Sequence, residues 1–166
     1  IEGSVDDKVH VVNKKSGKAV MATIIARSSE TQIGQRDYAV LALSEKLPLQ
    51  PLILSPDVVK LSRVFTGGYP YFFTQDDPAL QRLLKGNLDE APEMIMSSGE
   101  VCVIQNPESP LPIVVHTADL SKGNSGGPLI DRCGRVVGIN TYIREDKETG
   151  RRANYSLSSR DLMAFL

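Results

Sequence analysis

The feature that most constrains this chain is its rhythm: short runs rich in β-branched and aromatic residues, each soon cut off by Gly or Pro. Residues 8–13 (KVHVVN) and 19–26 (AVMATIIA) flank a Lys-Lys-Ser-Gly-Lys turn, which predicts a hairpin. Further strand-like runs follow at 37–43, 52–54, 63–65, 94–104, 112–116, 128–130, 136–143 and 154–158. Helix has little room. Residues 77–85 (DPALQRLLK) predict one short helix, with Asp77 as N-cap, Pro78 in its first position and Gly86 as C-cap. Residues 159–166 start a final helix. Many short strands, little helix and no internal repeat indicate an all-β sandwich or barrel.

Charge and composition narrow the function. Nineteen Lys and Arg against 20 Asp and Glu leave a formal charge of −1, without the basic excess that phosphate backbones attract. No apolar run approaches the ~20 residues of a bilayer span. Two cysteines make neither a disulfide scaffold nor a metal knuckle, so the core is expected to be apolar packing and no metal or cofactor is anticipated. The opening Ile1-Glu2-Gly3-Ser4 lacks an initiator Met, a basic n-region and an apolar h-region. It reads as the interior of a longer chain rather than a natural start or a signal peptide.

The sharpest local feature is Lys122-Gly123-Asn124-Ser125-Gly126-Gly127-Pro128-Leu129. Glycines on both sides of one Ser permit tight backbone angles, so N–H groups can converge beside its hydroxyl as an oxyanion hole requires. Ser125 is the candidate nucleophile, and Gly123, Asn124 and Ser125 are the candidate oxyanion-hole residues. From glycine content alone, a plain polar turn accounts for the segment equally well. Asp37, at the start of its run, is by itself no more than a turn cap.

Together these segments resemble a known family. Gly123-Asn124-Ser125-Gly126-Gly127-Pro128-Leu129 is similar to the nucleophile motif of chymotrypsin-fold serine proteases, in the Asn form of bacterial HtrA-like, trypsin-like peptidases. Residues 37–43 (DYAVLAL) resemble that family's D-x-A-V/L-L strand, Gly68-Tyr69-Pro70 its G-x-P turn, and Gly138-Ile139-Asn140-Thr141 the strand lining its cleft. The resemblance implies two six-stranded antiparallel β-barrels with the active site between them. Residues 1–58 would hold the remainder of an incomplete N-terminal barrel and 59–166 the C-terminal barrel, with the helix near 77–85 as an insertion. It further implies a serine endopeptidase acting on polypeptides through an acyl-enzyme on Ser125. Asp37 would be the triad acid that orients an imidazole. Thr141 would support Asp37 with its hydroxyl, and Thr141, Tyr142 and Ile143 would line the substrate cleft. A periplasmic or secreted setting goes with the resemblance.

The base does not follow as directly. Only His10 and His116 are present. His10 precedes Val11-Val12 and resembles the family's H-V-V, but it falls inside the first hairpin; His116 stands on the run entering the specificity pocket, where no triad of the family places its base. HtrA-like proteases read H-V-I/V-x-G at the catalytic His, and Ile1-Glu2-Gly3-Ser4 looks like the tail of such a run. The base is therefore expected two positions before Ile1. The competing reading is a protease-like binding domain that does not cleave.

Asp119 stands where trypsin carries the carboxylate of its primary pocket, which would attract Arg or Lys. HtrA-like enzymes usually carry a small apolar residue there, and Ile143 occupies the place of a pocket-opening Gly. The alternative is that Asp119 bonds amides of its own loop. Cys102 and Cys133 either pair or remain free thiols. Residues 145–152 (EDKETGRR) read as a solvated hairpin tip, or as a basic cleavage site at Arg151-Arg152.

Overall fold

The computed structural model describes residues 4–14, 17–28, 35–87 and 91–166. The first three residues and the middle of the first hairpin turn, both used in the sequence reading, lie outside the described residues. Strands β1 (Lys8–Asn13), β2 (Lys18–Arg27) and β3 (Ala39–Leu43) form one antiparallel sheet in that order. Strands β4 (Arg63–Gly68), β5 (Ile95–Gln105), β6 (Ile113–His116), β7 (Pro128–Asp131), β8 (Val136–Glu145) and β9 (Arg152–Ser158) close into a six-stranded antiparallel barrel, ordered β4-β5-β6-β9-β8-β7. The fold is all-β, with three short helices among the described residues: α1 (Tyr71–Thr74), α2 (Pro78–Leu84) and α3 (Ser159–Phe165).

Strand periodicity places the core. On β2, Val20, Ala22 and Ile24 alternate inward and are buried, while Met21 and Ile25 face out. Inside the barrel, Val64, Val101, Val114, Ala118, Leu129 and Val137 form one buried cluster. A second cluster joins the two bodies: Tyr38, from the lead into β3, packs with Ile113, Val115, Tyr155 and Leu157, and Leu162 and Phe165 of α3 close over it.

The predicted helix forms with the expected cap. Asp77 accepts from the N–H groups of Ala79 and Leu80, and Gly86 follows at φ +92°. Residues 52–54 do not form a strand. They make a single parallel bridge, Leu54 to Val136, flanked by bonds from the Val136 amide to the Ile53 carbonyl and from the Ser55 amide to the Val136 carbonyl. Helix α1 was not anticipated; its aromatic run suggests extended chain, but the Pro70 carbonyl accepts from Phe73, from Thr74 and from the Thr74 hydroxyl, which closes one turn. Cys102 and Cys133 are both exposed and unpaired. Residues 146–151 form the exposed tip joining β8 to β9, held by Asp146, whose carboxylate accepts from Glu148 and Thr149.

Candidate active site

Ser125 sits in the loop between β6 and β7, and the loop's shape depends on glycine. Gly123 has φ +105°, and a Cβ there would lie 2.2 Å from the Tyr69 carbonyl oxygen. A Cβ on Gly127 would lie 2.3 Å from the carbonyl oxygen of Gly67. Asn124 is buried and closes the turn from within: its N–H donates to the Ser121 carbonyl at 3.0 Å and its Oδ1 accepts from the Ser121 N–H at 2.9 Å. Of the three candidate oxyanion residues, Asn124 thus has its amide engaged. The N–H groups of Gly123 and Ser125 have no acceptor among the described residues. The Gly126 amide donates to the Asn140 carbonyl and the Asn140 amide to the Gly127 carbonyl, so the loop is pinned to β8 on the far side of Ser125. The Ser125 hydroxyl is exposed and donates to the Thr141 carbonyl at 3.0 Å.

Behind the loop lies a buried polar chain. Ser156 Oγ donates to Asn140 Oδ1 at 2.9 Å and lies 3.0 Å from His116 Nε2, while Asn140 Nδ2 donates to the Pro128 carbonyl. Because the Ser156 proton is committed to Asn140, His116 donates from Nε2 and its Nδ1 is bare. That nitrogen is buried without a partner among the described residues. Burial pushes the His116 imidazole down to about 4, only partly opposed by the Ala118 backbone. His116 is a structural member of this chain. His10 lies on β1 opposite Met21, exposed on the other sheet. Neither imidazole hydrogen-bonds to Ser125 or lines either of the cavities that Ser125 borders.

Asp37 lies two residues before β3 and is exposed. It shares with Ser125 the lining of a cavity of about 480 Å³ between sheet and barrel, together with Ala39, Ile139, Leu162 and Leu166. The hydroxyl of Thr141 does not reach Asp37. It donates to the Ile139 carbonyl at 3.0 Å, at the point where the register of β8 against β9 shifts between Asn140 and Tyr142.

A second cavity, about 290 Å³, opens on the other side of Ser125. Thr141, Tyr142 and Ile143 line it with Leu120, Ser121, Lys122 and Asn124. Tyr142 is a fixed wall, stacked on Tyr155 with centroids 4.5 Å apart. Asp119 is not among these residues. Its side chain is 63% exposed, and its carboxylate accepts from Arg152 at 3.4 Å rather than from a loop amide. The backbone carbonyl of Asp119, which accepts from Ser97 and Thr66, fixes that orientation.

Sequence reasoning missed Arg36 and Asp161, which form a bidentate pair beside Asp37. Nothing local in the sequence signals a partnership across 125 positions. No helix among the described residues is long and apolar enough to cross a membrane, and no group of His, Cys, Asp and Glu among them is arranged to hold a metal.

A closed antiparallel barrel facing a second β-sheet, with a serine in a glycine loop across a cleft from an aspartate, is the arrangement of the chymotrypsin-fold serine proteases. The chain belongs to the trypsin-like peptidase domain family, whose model matches residues 2–139. Among solved structures it is similar to the Rv3671c protease in an inactive form, with a TM-score of 0.58 and 20% identity over 90% of this chain and 66% of that one. It is likewise similar to a serine-to-alanine mutant of Rv3671c from M. tuberculosis, also an inactive form, with a TM-score of 0.58 and 17% identity over 89% and 68%. The chain thus spans about two thirds of the length of these proteins. No curated protein matches it by sequence.

Proposed function

We propose that this chain is the greater part of an HtrA-like serine endopeptidase domain, periplasmic or secreted, that cleaves polypeptides through an acyl-enzyme on Ser125. The observation that carries the reading is the pairing of Asp37 with Ser125 on one cavity, beside two backbone N–H groups left without acceptors. In this mechanism an imidazole seated between Asp37 and Ser125 takes the Ser125 proton as Oγ attacks the scissile carbonyl, and Asp37 stabilises the imidazolium. The Gly123 and Ser125 amides receive the oxyanion. Since His10 and His116 both lie elsewhere, the imidazole comes from chain preceding Ile1. Residues 1–58 then belong to the N-terminal barrel and 59–166 to the C-terminal one.

The cavity walled by Leu120, Tyr142 and Ile143 supports an apolar P1 residue of modest size rather than Arg or Lys. The test is to treat the full-length protein with a fluorophosphonate and map the adduct. Labelling at Ser125, lost in Ser125→Ala and in a variant lacking the preceding histidine, is the expected outcome. A folded protein labelled elsewhere, or not at all, would favour a non-cleaving binding domain.

A further inference from the structure

We propose that the C-terminal helix α3 is the positioning device of Asp37, gripping the chain on both sides of that aspartate and so fixing its place in the cleft. The inference rests on the reading of Asp37 as the triad acid.

Residues 36–38 lead into β3 outside any regular strand, and contacts rather than alternation sort them: Arg36 and the buried Tyr38 reach α3, whereas Asp37 between them is exposed. Arg36 donates from Nε and Nη2 to the carboxylate of Asp161, at 2.9 and 2.6 Å to Oδ1, with a further contact of 3.1 Å from Nε to Oδ2. The Asp161 side chain has no exposed surface. One turn further on, the Phe165 ring lies 5.4 Å from the Tyr38 ring, which is itself buried. Ser28, just past β2, completes the grip. Its hydroxyl donates to the Arg36 carbonyl and accepts from the Tyr38 amide, both at 3.0 Å, so it ties together the residues flanking Asp37.

Docking a helix on a sheet requires only apolar area, and a well-packed apolar pair is often as stable as a buried ion pair. A planar, two-pronged guanidinium–carboxylate contact adds orientation that apolar packing does not. That orientation is supplied next to Asp37, the exposed carboxylate that shares a cavity with Ser125. Leu162 and Leu166 also wall the cavity that Asp37 and Ser125 share, so α3 sets the shape of the cleft as well as its acid.

The test uses the full-length protein with Asp161→Asn, the paired apolar replacement Arg36→Met/Asp161→Leu, Asp37→Asn, and Asp161→Asn combined with Asp37→Asn. Peptide hydrolysis and amide exchange at Ser28 and Tyr38 are the readouts. Asp161→Asn is expected to lower kcat roughly tenfold to a hundredfold with KM little changed, the scale of a small misplacement in an active site. It should speed exchange at Tyr38 while leaving β6 and β8 protected, and add no further loss to Asp37→Asn. The apolar pair should keep the wild-type melting temperature and show the same kcat loss. Unchanged exchange at Tyr38 in either folded variant overturns the proposal, as does a kcat loss that persists undiminished in the Asp37→Asn background. If Asp37→Asn by itself leaves kcat untouched, the triad assignment fails instead, and exchange at Tyr38 still decides whether α3 holds the segment.

Discussion

A buried imidazole with one bare nitrogen makes the fold sensitive to acid. In the folded chain His116 titrates at about 4, against 6.5 for the ordinary side chain. Between those values the unfolded chain binds a proton that the folded chain refuses, so stability rises with pH across the window. The contribution is complete above pH 6.5 and is lost as pH falls toward 4, amounting to roughly 3 kcal/mol. Urea unfolding at pH 7 and pH 5 should show this decline, and His116→Gln should flatten it; equal slopes for the two proteins would assign the acid sensitivity elsewhere. Asp119 offers a second test at the same scale. Its carboxylate lies outside the cavity beside Ser125 and against Arg152. Asp119→Ser in the full-length enzyme should therefore leave the P1 profile on a peptide library unchanged and apolar. A loss confined to Arg and Lys at P1 would put the carboxylate in the pocket.

Elements differ in how much of their stability is local. Helix α2 has no buried residue, so it depends on its own cap and turn hydrogen bonds. Asp77→Ala removes the acceptor for the Ala79 and Leu80 amides and should cost the helix about 1 kcal/mol. Because the barrel does not rest on α2, the loss should appear as faster amide exchange within the helix while the melting temperature holds. A fall of several degrees would show that the helix is coupled to the barrel. This helix was legible because Asp, Pro and Gly act within one or two residues of the ends they mark. The strands were legible as β-branched runs closed by Gly or Pro, but which face β2 buries was not, since the exposed Met21 and Ile25 are as apolar as the buried Val20, Ala22 and Ile24. The one-turn helix α1 was not, since Tyr71, Phe72 and Phe73 favour extended chain by propensity and are turned by the Pro70 carbonyl. Within the site, the glycine loop and Asp37 stood out by motif. The outward turn of Asp119 and the grip of Asp161 on Arg36 did not, because each is decided by a partner distant in sequence.

At the scale of the whole molecule, the two bodies are unequal. The barrel closes on itself and every strand in it has two neighbours, whereas β1 and β3 each pair on one side only among the described residues. Open strand edges exchange and slip more readily than closed ones. Among the described residues no strand of the sheet pairs with the barrel, and the connecting segment touches the barrel by few backbone bonds, at Ile53, Ser55, Leu61 and Ser62. Along this segment Leu52, Ile53, Val59 and Leu61 are largely exposed, while Val58 packs against the barrel core. What joins the bodies is the packing of Tyr38 against Ile113, Val115, Tyr155 and Leu157 of the barrel and Phe165 of α3, together with the ion pairs Arg36–Asp161 and Lys14–Glu93. Limited proteolysis of the 166-residue chain should accordingly cut first within residues 8–52 and leave a resistant fragment that begins near residue 59 and retains α3. Asp161→Asn should accelerate the first cuts without shortening the life of that fragment, because the substitution releases the sheet and leaves the barrel's ladders intact. Mass spectrometry of the digest decides the matter. First cuts within β4 to β9, or equal resistance of both halves, would mean that the sheet and barrel unfold as one unit and that the boundary at residue 58 has no physical content.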